Sequence, residues 1–345
     1  MRAVVYPEVG VVPAVVDVAD PECADDGVIV EVAATGVCRS DWHAWRGHDP
    51  VELPIIPGHE FAGVIAAVGA DVSGWQVGDR VTTPFVLGCG RCEFCLAGDA
   101  QVCPDQLQPG FTLSGTFAQQ VAVPRAQFNL VRLPDTVSFV AAASLGCRFA
   151  TSFRAVVTHG RVQPGQWVAV HGCGGVGLSA VMIAKAFKAK VIAIDVSVEA
   201  LAIAGRLGAD ELVNDNETPD PATEIVRRTG GVHIGIDAVG HPALAAASVS
   251  SLRRRGRHIQ VGLLLGAAAQ TAFPMDRVIA QELVILGSHG MPAVDYPAML
   301  ELLASGALDP EQLVTRRIGL DGAGAALADM DNPVGHGMTI IEPGT

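Results

Sequence analysis

Cys89-Gly90-Arg91-Cys92-Glu93-Phe94-Cys95 is followed by Cys103 after a gap of seven residues, which places four thiols within fifteen residues. Thiolates at that spacing can close a tetrahedral shell of four sulfurs around zinc, with Gly88, Gly90 and Gly98 supplying the curvature of the loop. An iron–sulfur cluster is the competing chemistry, because Cys-x2-Cys-x2-Cys also opens the bacterial ferredoxin run and Pro104 follows Cys103. Against it stand the seven-residue gap, where that run has three, and the lack of a second cluster motif. Free surface thiols are the plain alternative. A shell closed by four protein sulfurs has no position left for a substrate, so a metal here is structural.

A second set of metal-type residues is dispersed. Cys38 lies in Thr35-Gly36-Val37-Cys38-Arg39-Ser40-Asp41-Trp42-His43, His59 in Pro57-Gly58-His59-Glu60, and Cys147 in Leu145-Gly146-Cys147-Arg148. Each alone reads as a buried cysteine or a core histidine. Two Cys and one His together make a three-ligand zinc shell with an open fourth position, the catalytic rather than the structural arrangement. Asp41 is a candidate to orient the His59 ring.

The third feature is His171-Gly172-Cys173-Gly174-Gly175-Val176-Gly177, a Gly-x-Gly-x-x-Gly run between an apolar strand and a helix. Gly172 allows the tight turn, Gly174 the approach of a pyrophosphate to the backbone, and Gly177 the packing of helix on strand. A plain strand-to-helix turn is the bland alternative. The next strand ends in Asp195, eighteen residues beyond Gly177, where an acid accepts hydrogen bonds from the adenosine ribose. Such an acid repels a 2′-phosphate, and Val196-Ser197 brings no cation to bind one, which favours NAD over NADP.

These residues need elements to hold them. The first 145 or so residues read as short β runs, among them 28–32, 61–68 and 80–82, separated by turn chemistry at Gly69, Ser73-Gly74 and Gly78-Asp79. From about Gln166 the pattern becomes strand, turn, helix, strand, with strands expected at 167–171, 191–194, 211–213, 232–237, 258–261 and 283–286. Six such strands make one nucleotide-binding sheet. A helix is expected over 296–304, and the tail is too short to be a third domain. The Arg253-Arg254-Arg255-Gly256-Arg257 run reads as a solvated helix end, and Cys23 as a small buried core residue.

Composition bounds the rest. A chain of 345 residues is long enough for about two domains. Its net charge of −13 offers no basic face for nucleic acid or an anionic membrane. No apolar run approaches the roughly 18 to 20 residues of a membrane span, and the start lacks the core of a signal peptide. The chain is therefore read as cytoplasmic, where clustered thiols among its eight cysteines point to metal or catalysis rather than disulfides.

Gly36-Val37-Cys38-Arg39-Ser40-Asp41, Gly58-His59-Glu60, the four-cysteine lobe, Gly146-Cys147, the glycine run and Asp195 occur here in the order found in the zinc-dependent medium-chain alcohol dehydrogenases. The sequence resembles that family over essentially its whole length. The resemblance implies an α/β chain: a GroES-like β-rich catalytic domain over 1–149 and 288–345, with the structural zinc lobe at about 88–104, and a Rossmann NAD-binding domain over 150–287. It implies two zinc ions per chain, a catalytic one on Cys38, His59 and Cys147 with Glu60 beside it, and a structural one on Cys89, Cys92, Cys95 and Cys103.

Ser40 and His43 match the family's proton relay, which runs from the alcohol through Ser40 and the cofactor ribose to His43, and Asp41 matches the support of the zinc-bound histidine. Gly172, Gly174, Gly175, Val176, Gly177 and Asp195 match the NAD site and Thr151 a threonine near the nicotinamide. Phe85 and Trp42 match the substrate pocket. The implied activity is oxidation of small or medium primary or secondary alcohols to aldehydes or ketones, in a homo-oligomer, tetramer rather than dimer. Polyol members commonly lack a cysteine at the Cys147 position. The alternatives are a specialised dehydrogenase of a polyol, a formaldehyde adduct or a terpenoid alcohol, and a non-catalytic NAD-binding sensor. His48, His171 and His289 are left as histidines near the site or merely structural ones.

Overall fold

The computed structural model describes residues 1–331 and 336–344. The chain divides into two compact units, Met1–Ala150 with Gly290–Thr345, and Thr151–His289.

The first unit is organised by the strand Val28–Val37, whose VIVEVAATGV sequence buries every residue except Glu31 and the partly covered Ala33. That β-branched run is hydrophobic on both faces because both faces are covered. It pairs antiparallel with Glu60–Val68 in a register that sets Gly36 opposite Glu60, so the segment entering Cys38 lies beside the one leaving His59. The seven-stranded sheet also contains Arg80–Thr82, Gln120–Val123 and Val131–Arg132. The tail belongs here: Met338–Ile341 adds antiparallel to Val28–Val37, and Val314–Ile318 adds parallel to Met338–Ile341. One core gathers Tyr6, Trp45, Phe117, Leu327 and Ile341, and another gathers Val30, Phe61, Ile65, Leu87 and Val121.

The second unit is a six-stranded sheet ordered Glu211–Asn214, Lys190–Asp195, Trp167–His171, Val232–Asp237, Leu252–Gln260, Val284–Gly287, every neighbouring pair parallel. Taken in chain order this is 3-2-1-4-5-6, the Rossmann arrangement, which reverses direction between Trp167–His171 and Val232–Asp237. Ligands of such sheets bind at the carboxyl ends of the strands at that reversal, and the glycine run begins there at Gly172.

Two expectations fail. The arginine run is not a helix end: helix Pro242–Ser251 stops before it, and Arg253 to Arg257 lie inside the strand Leu252–Gln260. Buried Leu252 starts the strand opposite Val232, the register then shifts so that Arg257 faces Ile234, and exposed Arg253, Arg254 and Arg255 form the bulge. Cys23 is exposed, its thiol turned toward the carbonyl of Gly27 in the turn before the long strand. Among the described residues no helix is long and apolar enough to cross a membrane.

Candidate metal centres and nucleotide turn

Cys38 is the residue before helix Arg39–Trp45, and its extended backbone starts that helix. Asp41, three residues on, reaches back so that its Oδ2 accepts the Cys38 amide at 2.9 Å. Its Oδ1 accepts the Gly58 amide at 3.0 Å and lies 2.8 Å from His59 Nδ1. One fully buried carboxylate therefore ties two segments together and fixes the imidazole with hydrogen on Nδ1. His59 Nε2 is left bare, buried and without a hydrogen-bond partner. A buried nitrogen lone pair is costly unless something takes it.

The Cys38 and Cys147 sulfurs and a ring nitrogen of His59 all lie within 4.8 Å of one another. The orphaned nitrogen and two thiols fit a metal such as zinc, which takes this donor set. Cys38 is held well below the usual thiol range, chiefly by the facing Cys147 thiol. Cys147 sits in a π-helical turn, Leu145–Phe149, the kind of irregularity that re-aims a side chain. Edge-on Phe85 at 5.9 Å and tilted Phe111 at 5.3 Å wall the His59 ring.

The four-cysteine loop is built differently. Its sulfurs also lie within 4.8 Å of one another, with Cys89 to Cys95 at 3.9 Å and Cys92 to Cys103 at 3.7 Å. Disulfide sulfurs would be about 2.05 Å apart, whereas a tetrahedron with metal–sulfur bonds of about 2.3 Å has edges of about 3.8 Å. Backbone amides of Cys89, Cys92 and Cys95 each point at a cysteine sulfur at 3.4 Å, the bonding expected of thiolates. The amide hydrogen bonds, Arg91's first, lower the Cys89 thiol to about 6.

In the second unit the glycine turn is explained by what a side chain would meet. A Cβ on Gly177 would lie 1.7 Å from the Gly172 carbonyl oxygen, and one on Gly172 would lie 2.3 Å from Val239 while the backbone holds φ +93°. Gly174, ahead of helix Gly175–Ala186, faces open space where a phosphate group can approach unpaired amides. Asp195 braces the turn, accepting the Cys173 amide at 2.6 Å on one oxygen and the Ser197 amide at 2.8 Å on the other. The residues present therefore fit a dinucleotide. Thr151 is buried in the helix Ala150–Phe153, and the neighbouring Ser152 hydroxyl donates to the Val176 carbonyl at 2.7 Å.

Residues 24–135 match the alcohol dehydrogenase GroES-like domain and residues 175–305 the zinc-binding dehydrogenase family. An alcohol dehydrogenase of Geobacillus stearothermophilus is 36% identical over 84% of this chain and 85% of its own. The chain belongs to the zinc-dependent medium-chain alcohol dehydrogenases. A sorbitol dehydrogenase of Bacillus subtilis is 36% identical over 87% of this chain and 85% of its own. The solved structure of an NAD-dependent alcohol dehydrogenase superposes with a TM-score of 0.89 at 32% identity, covering 99% of each chain.

Within this dehydrogenase framework Glu60 is fully engaged. Its Oε1 accepts the amides of Cys147 at 3.1 Å and Arg148 at 3.0 Å, and the Arg148 guanidinium grips both oxygens, Nη2 at 2.5 Å from Oε2. Burial pushes the Glu60 carboxyl up and the Arg148 charge opposes it. A Cβ on Gly36 would lie 2.6 Å from Glu60 Oε2, and one on Gly146 would lie 2.8 Å from Glu60 Cα, so small residues let the pair sit there. Arg148 has no role assigned from the sequence, where it only follows Cys147 in its motif, and Phe111 is not singled out there. An arginine inside the apolar stretch 144–150 was a usable signal for the first; Phe111 carries none.

Ser40 Oγ lies 3.8 Å from Cys38 Sγ, and His43 Nδ1 lies 3.1 Å from His48 Nδ1. Phe85 is buried beside His59. Trp42 stands edge-on to His43 and His48 and donates its indole N–H to Asp331 at 2.7 Å. His171 is fully buried with neither ring nitrogen partnered, and Cys173 fills a buried position beside the Ile194 carbonyl.

Proposed function

We propose that this chain is an NAD-dependent zinc alcohol dehydrogenase that interconverts small or medium primary or secondary alcohols with aldehydes or ketones. The observation that carries the reading is the buried, unpartnered Nε2 of His59 facing two thiols, a donor set one ligand short of a tetrahedron. Cys38, His59 and Cys147 hold the catalytic zinc, which when bound supplies a Lewis acid that makes an alcohol hydroxyl a stronger acid. Cys89, Cys92, Cys95 and Cys103 hold the structural zinc. Gly172 to Gly177, Thr151 and Asp195 hold NAD, the hydride acceptor.

The protein's own groups do the rest. Ser40 Oγ accepts the alcohol proton and gives up its own, and His43 takes the released proton outward. Asp41 keeps the His59 Nδ1–H in place, so that Nε2 is the ring nitrogen left to bind a metal. The Glu60–Arg148 pair fixes the backbone of Cys147. Phe85 and Phe111 exclude water from the imidazole face. The first unit is the catalytic domain and the second the cofactor domain of a cytoplasmic homo-oligomer, tetramer rather than dimer.

A polyol substrate is the second reading, favoured by the likeness to the sorbitol dehydrogenase. The cysteine at position 147 weighs toward simple alcohols, since polyol members commonly lack it. Metal analysis should find two zinc ions per chain, and a panel of alcohols and polyols with NAD should give NADH fastest with the simple alcohols. Absence of zinc, or turnover confined to polyols, contradicts the primary reading. Asp195→Gly should move the NAD to NADP preference by about tenfold, roughly the 1.4 kcal/mol of one good ribose hydrogen bond.

A further inference from the structure

We infer that His48 is the proton acceptor that follows His43, so that the proton leaving the alcohol crosses a pair of directly bonded imidazoles before it reaches water. This rests on the reading of Ser40 and His43 as the relay. The family resemblance supplies His43; nothing in it supplies His48.

The geometry is local and specific. His43 lies in the last turn of helix Arg39–Trp45, and the chain then folds back so that the His48 amide donates to the His43 carbonyl at 2.9 Å. That backbone bond brings the two rings together, tilted by 55°, Nδ1 to Nδ1 at 3.1 Å and centroids 5.4 Å apart. Trp42 backs both, edge-on at 5.0 Å to His43 and 5.3 Å to His48. It is pinned in turn, because Asp331 accepts its indole N–H and also pairs with Arg46. His43 is half-buried while His48 is exposed, so the pair runs from the covered side of the helix to solvent.

A contact between two Nδ1 atoms needs hydrogen on one and a lone pair on the other. With hydrogen on His43 Nδ1, its Nε2 is free to accept. When a proton bonds to His43 Nε2, the His43 Nδ1–H bond breaks and an N–H bond forms on His48 Nδ1. His48 is then an imidazolium and loses its Nε2 proton to water. One proton enters and one leaves, and no charge remains on the pair. The starting tautomers return between turnovers when half-buried His43 gives its Nε2 proton to water, its Nδ1 takes back the proton on His48 Nδ1, and His48 Nε2 takes one from water.

The groups facing the pair suit this direction. Burial lowers His43 first, His48 and Arg39 lower it further, and Cys38 and Asp49 oppose them, which favours the neutral form that can accept a proton. The Arg39 guanidinium lies over Trp42 at 4.6 Å, and Arg46 is neutralised by Asp331. Neither imidazole is ion-paired with a carboxylate among the described residues, so nothing traps the proton on the pair.

The test measures the pH dependence of kcat for oxidation of ethanol, 2-propanol and benzyl alcohol in weak buffer, for the wild type, His48→Gln and His43→Gln. His48→Gln should lower kcat about tenfold below pH 8 with KM, zinc content and Tm unchanged, a modest part of what a general base contributes. Added imidazole should restore the rate, which a purely structural defect would not allow. A His48→Gln profile that matches the wild type while His43→Gln is slow and rescued by imidazole overturns the role of His48 alone. If His43→Gln also matches the wild type, or none of the alcohols is oxidised, the underlying relay reading falls and this inference with it.

Discussion

The two units carry their chemistry in opposite ways. In the first, the candidate site is made of side chains: Cys38, His59 and Cys147 come from segments up to 109 residues apart, and Asp41, Glu60 and Arg148 hold them in place. In the second, the candidate site is made of missing side chains, four glycines within six residues, of which Gly172 and Gly177 allow close packing and Gly174 leaves amides open. The first depends on its polar atoms, the second on having no Cβ at Gly172 and Gly177. That contrast dictates how each breaks.

The largest effect is expected from Cys38→Ser. Losing one ligand of a three-ligand shell removes the Lewis acid, worth several kcal/mol, so kcat should fall by about 10³-fold or more. Zinc per chain should drop from two to one while NAD binding, followed by cofactor fluorescence, persists. Loss of both zinc ions would show that the two metal clusters are not independent. Gly177→Ala should do the reverse. Its methyl cannot coexist with an oxygen 1.7 Å away, so the helix must shift off the strand at a cost of about 3–4 kcal/mol. NAD affinity and Tm should fall together, with both zinc ions retained; unchanged NAD binding would show that the turn does not need its close contact.

His171 separates the units by pH. Burial pushes it down to about 4 from an ordinary 6.5, and neither ring nitrogen has a partner to offset protonation. The folded-state value is the depressed one, so stability is intact above pH 6.5 and falls as the unfolded chain takes up a proton that the folded chain refuses. The loss should total about 3 kcal/mol by pH 4. In urea titrations across that range His171→Val should lack this part of the slope. A slope that persists unaltered would place the acid sensitivity elsewhere.

The contrast also governs what could be read from the sequence. The four-cysteine lobe and the glycine run are contiguous, so spacing alone narrows their chemistry to a few choices, and the six parallel strands follow from apolar runs between helices. The Cys38–His59–Cys147 set needed the family's order of motifs, because no local pattern joins residues 21 and 88 positions apart. The Glu60–Arg148 pair stayed hidden for the same reason: it forms only once Gly36 and Gly146 allow strand and π-turn to close. The arginine run was misread because four cations look solvated anywhere, and a bulge in a strand solvates them as well as a helix end does. His48 was named without a role, since its meaning lies in a turn that brings two rings together.

Asp41→Asn is expected to have the smallest effect of the set and discriminates most finely within the first unit. Asparagine keeps the shape but has a single acceptor oxygen, whereas Asp41 accepts from Cys38, Gly58 and His59 through two. Either the Cys38 amide or the His59 ring then faces an NH2 group. If the ring does, His59 loses the bond that fixes its tautomer, a change that typically costs 10–100-fold in metal affinity or activity. The lobe sulfurs are held by their own backbone amides and do not depend on Asp41. Zinc release to a chelator should therefore occur in two phases, and Asp41→Asn should accelerate one of them by 10–100-fold while leaving the other unchanged. Acceleration of both phases would mean that the carboxylate supports the whole first unit rather than one site in it.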